Sequence, residues 1–295
     1  MSTDWEEKFK QWAKAPSQTE QDKANNAEVA VRKSIDISSV LKQKSIRVFP
    51  QGSYRNKTNI SSESDVDICV LCSDTFYFDL PEGSSRTGFG ITPAEYEYSI
   101  YKDDVESALV SHFGREAVTR GRKAFDIHEN SNRIDADVIP CFEYRRYNND
   151  GTFTEGTAFI PDNGGRVINW PEQNYENGKK KNDDTKRGFK AGVRILKNLK
   201  HEMEEEGHNE AKAIPSFLCE CLAWNVPDEG FLHGDYTADV RYMLMHLFNN
   251  TIKFEDCKEW GEINELKYLF RTSQAWTLKE THDFISSAWD YIGFG

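Results

Sequence analysis

Gln51-Gly52-Ser53-Tyr54-Arg55-Asn56-Lys57-Thr58-Asn59-Ile60-Ser61-Ser62-Glu63-Ser64-Asp65-Val66-Asp67 joins a turn suited to cradling an anion to a pair of carboxylates, and the rest of the 295-residue chain is read outward from it. Just upstream, Ser45-Ile46-Arg47-Val48-Phe49 carries β-branched and aromatic residues and predicts a strand ending at Pro50. Gly52-Ser53 then opens a polar segment. Glycine lets backbone amides approach an anion closely, and the Ser53 hydroxyl offers one more donor. Taken alone, a Gly-Ser pair is an ordinary turn.

Asp65-Val66-Asp67 changes that balance because it leads into Ile68-Cys69-Val70-Leu71-Cys72, an apolar run that reads as a buried strand. Side chains alternate along a strand, so Asp65 and Asp67 share a face, roughly 7 Å apart. Two carboxylates so placed repel each other unless a hard cation sits between them, and Mg²⁺ has the oxygen preference for that place. A solvated strand end explains Asp-x-Asp alone; Gly-Ser at this upstream offset favours the metal. A second pair follows in Arg133-Ile134-Asp135-Ala136-Asp137-Val138-Ile139-Pro140, where Asp135 and Asp137 again share a strand face. Either can complete a carboxylate cage. For Asp135, pairing with Arg133 or Arg145 is the plain alternative.

Gly-Ser, then Asp-x-Asp, then a lone Asp on a neighbouring strand resemble the DNA polymerase β-like nucleotidyltransferase superfamily. Within it the chain is most similar to the bacterial CD-NTase family of cyclic-oligonucleotide synthases, relatives of animal cyclic GMP-AMP synthase and oligoadenylate synthase. The resemblance rests on Phe49 to Asn59, Ser64 to Ile68, Ala136 to Pro140, Phe189 to Lys197 and Ile214 to Leu218, spanning about residues 45 to 230. It implies that Asp65, Asp67 and Asp137 act in catalysis by holding two Mg²⁺ ions, with Mn²⁺ able to substitute, and that Asp135 lies outside the ligand set. It further implies that Gln51, Gly52 and Ser53 contact the donor nucleotide, and that ribonucleoside triphosphates are joined and cyclised into a second messenger. A downstream effector would respond to that messenger in antiphage defence.

From Thr185 to Gly207, Phe189, Val193, Leu196, Leu199 and Met203 recur with helical periodicity. Lys190, Arg194, Lys197 and His201 fall on one basic stripe beside them. Such a stripe is usually a solvated face. The resemblance singles out Lys197 for the donor triphosphate and leaves Lys190 and Arg194 unassigned. Pro215 is placed for the first turn of another helix, which sets Ser216 at its N-terminus with Phe217 beside it. By resemblance Ser216 contacts the triphosphate and Phe217 stacks on the donor base; core packing is the alternative for Phe217.

A net charge of −12 weighs against a large nucleic-acid surface. Lys179-Lys180-Lys181 is the main basic run, and its Asn/Gly-rich setting reads as a solvated loop. The six cysteines lack zinc-ligand spacing, unlike the zinc-ribbon insertion of animal cyclic GMP-AMP synthase. No apolar run has the length of a membrane span, and Met1-Ser2-Thr3-Asp4-Trp5 lacks a signal peptide's basic start, so a cytoplasmic location with reduced thiols is expected.

The fold expected is α+β: a polymerase β-like lobe with a mixed sheet (1–165) packed on a helical nucleotide-binding lobe (166–295), with N-terminal helices bridging both. The resemblance places the active site in the cleft between the lobes. Residues 161–186 form the crossover. The tail Tyr291-Ile292-Gly293-Phe294-Gly295 reads as a mobile handle, and by resemblance Gly295 is a point of attachment for conjugation machinery. Two rivals stay open: a tRNA, poly(A) or antibiotic nucleotidyltransferase of the same superfamily, and an inactive nucleotide-binding module or antitoxin on the same fold.

Overall fold

The computed structural model describes residues 3–61 and 65–295; Ser64, quoted above with the carboxylate motif, lies outside them. Along the chain come α1 (Trp5–Trp12), α2 (Gln18–Asp36), β1 (Ile46–Pro50), α3 (Gly52–Asn56), β2 (Val66–Asp79), α4 (Tyr98–Phe113), β3 (Val118–Arg120), β4 (Phe125–Ile127), β5 (Ala136–Tyr147), β6 (Phe153–Phe159), β7 (Val167–Asn169), α5 (Pro171–Asp184), α6 (Gly188–Glu205), α7 (Asn209–Lys212), α8 (Ser216–Trp224), α9 (Tyr236–Thr251), α10 (Phe254–Cys257) and α11 (Leu278–Ile292). By internal contacts they divide into a sheet unit, Ser17–Arg55 with Ser64–Pro171, and a helical unit, Met1–Pro16 and Asn56–Glu63 with Glu172–Gly295.

The sheet unit carries one mixed sheet in the order β1-β2-β5-β4-β3, with β6 continuing from β5 and β7 from β6. β2 and β5 run parallel in the register Val66↔Ala136, while β1 and β4 pair antiparallel to their neighbours. The even-numbered positions Ile68, Val70, Val138 and Phe142 are fully buried, and α2 and α4 cover that face. Tyr101 of α4 shows the fit: its ring stacks on Phe142 at 5.1 Å and its hydroxyl donates to Val70 O at 2.7 Å. The odd-numbered positions of β2 and β5 around this register therefore look the other way, and Asp67 and Asp137 belong to that set.

The helical unit is built around α6. Its apolar stripe, Phe189, Val193, Leu196, Leu199 and Met203, is buried against Leu218 and Leu222 of α8, Val240 and Leu244 of α9, and Phe284 and Ala288 of α11. α1 joins this core through Phe9, with Trp5 and Trp12 packed on its edge, so the first residues belong with the helices rather than with the sheet as the boundary at 165 placed them. The segment read as a crossover loop is β7 followed by a full helix, α5. Its stability is tertiary: Lys181 donates to Val226 O and Asp228 Oδ1, both at 2.8 Å, with its ammonium 5.3 Å from the Trp224 ring. Lys179 and Lys180 of the lysine run are both exposed, and Lys180 pairs with Asp184.

The C-terminal tail also differs from expectation. Gly293 takes φ 81° as the α11 cap, Phe294 N donates back to Trp289 O at 3.2 Å, and Ile292 is buried. The Phe294 ring lies 5.2 Å from Trp289 and under the Arg241 guanidinium at 4.5 Å. Glycine stops the helix, but the aromatic residue after it docks. Pro215 is likewise the residue before α8 rather than its first turn, because its ψ of 149° is extended. In α2, Val31 and Ile35 are buried while Val29 is exposed, since residues two apart on a helix cannot share a face.

Candidate active site

β1 ends at Pro50, and the backbone N–H of Gln51 donates to Asp67 O at 2.9 Å, so the turn is fastened to the strand that carries the carboxylates. Gly52 follows with φ 64°. A Cβ there would stand 2.4 Å from Asp67 Oδ2, which means the glycine backbone lies directly against that carboxylate and only glycine fits. Ser53 is half-buried in the first turn of α3, and Gln51 is buried with its Oε1 lacking a hydrogen-bond partner.

Register then sets the carboxylates. Asp67 on β2 is paired with Asp137 on β5, and Asp137 with Asp126 on β4. Adjacent strands lie about 4.8 Å apart, so three carboxylates form a row across three strands on one face. One step outward, Val66 N bonds to Asp135 O at 3.0 Å, and the same alternation places Asp65, Asp135 and His128 as a second row. Asp135 Oδ1 accepts from Glu129 N at 2.5 Å and His128 Nε2 lies 3.0 Å from Thr119 Oγ1. Burial pushes the Asp137 carboxyl above its ordinary value, and the charges of Asp65, Asp126 and Asp135 push it further.

A crowd of like charges around a half-buried carboxylate fits a divalent cation that takes oxygen ligands. Among the described residues, the side chains whose ligand atoms all lie within 4.8 Å of one another are Asp126, His128 and Asp135, beside rather than within the set Asp65, Asp67 and Asp137. Asp126 and His128 were not picked out from the sequence. The signal was present in Phe125-Asp126-Ile127-His128, whose strict alternation places both polar residues on one strand face.

The helical unit holds the remaining expected site residues. Lys197 is 1% exposed with Nζ 2.9 Å from Glu220 Oε1. Ser216 opens α8, half-buried, and Phe217 is half-buried with its ring 6.4 Å from Trp276.

The chain is 45% identical to the cyclic dipyrimidine nucleotide synthase CdnE of Legionella pneumophila, over 99% of each chain, and 44% identical to the protein of the same name from Cecembia lonarensis, over 98% of each. The chain belongs to the CD-NTase family. Residues 176–293 match the family model of the cGAS/DncV-like nucleotidyltransferase C-terminal helical domain. Among solved structures, the Rhodothermus marinus CdnE c-UMP-AMP synthase with Apcpp and Upnpp superposes with a TM-score of 0.84 at 28% identity, covering 98% of both chains. The polymerase β-like fold is thereby shown, and with it an enzyme of the nucleotidyltransferase class. No helix among the described residues is long and apolar enough to cross a membrane.

Proposed function

We propose that this CD-NTase joins and cyclises ribonucleoside triphosphates into a cyclic di- or oligonucleotide. The observation that carries the reading is the carboxylate row Asp67, Asp137 and Asp126 with the bare Gly52 backbone against its first member. Asp65, Asp67 and Asp137 would hold two Mg²⁺ ions, or Mn²⁺ in their place, and such ions supply activation of the acceptor hydroxyl and neutralisation of the leaving pyrophosphate. Gly52 lets the donor phosphates come close to the sheet face, and the Ser53 hydroxyl donates to them while Gln51 holds the turn. Asp137, on the central strand of the row, would be the ligand nearest the acceptor ribose hydroxyl and would orient it. In the helical unit Lys197 and Ser216 contact the triphosphate and Phe217 stacks on the base; Lys197 does so by exchanging Glu220 for phosphate.

Both relatives at 45% and 44% identity are named dipyrimidine synthases, which supports pyrimidine triphosphates as the substrates. The product would act on a downstream effector in the cytoplasm, in antiphage defence. Gly295 stays in the reading as the conjugation point, with the docked Phe294 setting its reach. Deleting Phe294 and Gly295 is expected to block conjugation in cells carrying the partner enzymes and to leave cyclase activity intact. The central test is incubation with the four ribonucleotides and Mg²⁺, phosphatase treatment and mass spectrometry. A phosphatase-resistant cyclic pyrimidine product is expected; nucleotide added only to RNA, or no transfer at all, overturns the reading.

A further inference from the structure

The cations near the start of α6 have different fates. Arg194 is only 8% exposed and its guanidinium is spent on backbone: Nε and Nη2 donate to Ala13 O at 2.8 and 2.6 Å, and Nη1 donates to Lys57 O at 2.7 Å. It is a clamp, and one of the peptides it fixes is that of Lys57. Lys57 has φ 56°, in the left-handed region, where a side chain costs about 1–2 kcal/mol that glycine would not. The position nevertheless carries an exposed ammonium group that makes no ion pair among the described residues. Lys190, one turn before Arg194, is half-buried, lies 5.9 Å from the Tyr175 ring and makes no ion pair either. Burial, then the charge of Lys57, then that of Arg194, hold its ammonium below the usual lysine value. The chain has a net charge of −12, yet among the described residues no acid forms an ion pair with either lysine, and the charges of Glu220 and Asp183 only partly offset the lowering at Lys190.

A second observation comes from hydrogen bonding. Buried polar atoms without a partner gather on the segments around this pair: Thr58 Oγ1 and both amide atoms of Asn59, directly after Lys57; Asn174 Oδ1, next to Tyr175; and Glu220 Oε2, whose charge is felt at Lys190. Thr58 and Asn59 are each 1% exposed. Buried polar groups are normally satisfied, so orphaned groups on the segments that carry these cations fit a polar, anionic ligand.

We propose that Lys57 and Lys190 form a polyphosphate-binding pair of the helical unit, positioned by the Arg194 clamp and taking the triphosphate of the nucleotide substrate. The assignment of the substrate rests on the function proposed above and adds two cations to Lys197. Compact ammonium groups suit phosphate oxygens as point charges, and the Asn59 amide and Thr58 hydroxyl supply neutral donors beside them.

Titration calorimetry with inorganic tripolyphosphate, without metal, tests the pair on the full chain. Lys57→Gly suits the left-handed backbone and removes the exposed side chain with its charge, so the variant should melt no lower than the parent while tripolyphosphate Kd rises roughly tenfold. Lys190→Gln should weaken binding by a similar factor, and Lys190→Arg should restore it. With nucleotides, KM should rise with kcat nearly unchanged in both charge-removing variants. Lysine-dependent tripolyphosphate binding supports the pair whether or not a cyclic product forms. Parental affinity in the Lys57→Gly and Lys190→Gln variants, or no binding to the parent protein, overturns it even if the cyclic product forms.

Discussion

The two units place their charged side chains by different physics. In the sheet unit, backbone register does the placing: once β2, β5 and β4 pair, Asp67, Asp137 and Asp126 must stand side by side on one face. In the helical unit, Lys190, Arg194, Lys197 and His201 are equally regular along α6, yet they enter four different environments. Lys190 is half-buried, Arg194 clamps backbone, Lys197 is buried on Glu220, and His201 lies 3.4 Å from Glu205 near the surface. Strand alternation fixes where a short carboxylate ends. Helical spacing fixes only the root of a long side chain, and partners decide the rest.

The comparison breaks first, if it is wrong, at the carboxylate row. Asp67→Asn and Asp137→Asn are expected to lower kcat/KM on the order of a thousandfold without changing the circular dichroism spectrum, because each removes a charge from the proposed cation site rather than a core contact. Asp126→Asn should lose roughly tenfold if the third strand shares the site, and Asp135→Asn less than that, since its carboxylate already accepts from Glu129 N. Rates of cyclic product formation are the readout. Full activity in Asp67→Asn would remove the row from the mechanism.

Next comes Lys197. Lys197→Ala leaves Glu220, 3% exposed, without its cation and should destabilise the helical unit by about 3–5 kcal/mol. The double variant Lys197→Met with Glu220→Gln removes both charges and should recover most of that stability. Its triphosphate affinity then separates the two roles. Weak binding in a stable double variant makes Lys197 a ligand contact, whereas parental binding makes it a structural ion pair alone.

This contrast also explains what could be read from the sequence. The strand face that carries Asp67 and Asp137 was legible because Asp-x-Asp followed by an apolar run encodes face and strand at once. Asp126 was hidden because β4 spans only Phe125–Ile127, too short for an alternation to stand out. α5 was missed since its lysines and asparagines give no apolar stripe; contacts of Lys181 with Asp228 and Val226 hold it, and those are remote in sequence. The docked tail was missed because Gly293 signals a helix stop, whereas Phe294 folding back on Trp289 is a tertiary event.

Gly52 sharpens the comparison from inside the sheet unit. Gly52→Ala combines a left-handed backbone, about 1–2 kcal/mol of strain, with a methyl group at 2.4 Å from Asp67 Oδ2, so the carboxylate must turn away. A loss of activity of about tenfold or more is expected. Gly90→Ala is the internal control, with a left-handed φ of 67° and nothing within 4 Å of the added carbon: it should lose similar stability but little activity. Equal activity losses in the two variants would mean that the approach of Gly52 to Asp67 has no catalytic consequence.

The smallest effect concerns a titration in the helical unit away from the basic stripe. His246 is stacked between Tyr242, at 6.3 Å and 6°, and Trp260, at 5.9 Å and 9°. Burial lowers its pKa from the ordinary 6.5, with the charge of Lys181 acting in the same direction against backbone bonding and Glu229. Well above pH 6.5 the ring is neutral in both folded and unfolded chains, and its contribution to stability is fully present. As pH falls below 6.5 the unfolded chain takes up the proton first, so stability is lost until the pH passes the lower folded value. His246→Phe keeps the stack and removes the titration, while every other group titrates alike in the two proteins. Melting curves between about pH 8 and pH 5 should therefore show the parent losing more than the variant, by a Tm difference on the order of 2 °C. Parallel curves would show that the imidazole protonates as readily within the aromatic stack as in the unfolded chain, and that packing in the helical unit leaves even its half-buried titratable rings unconstrained.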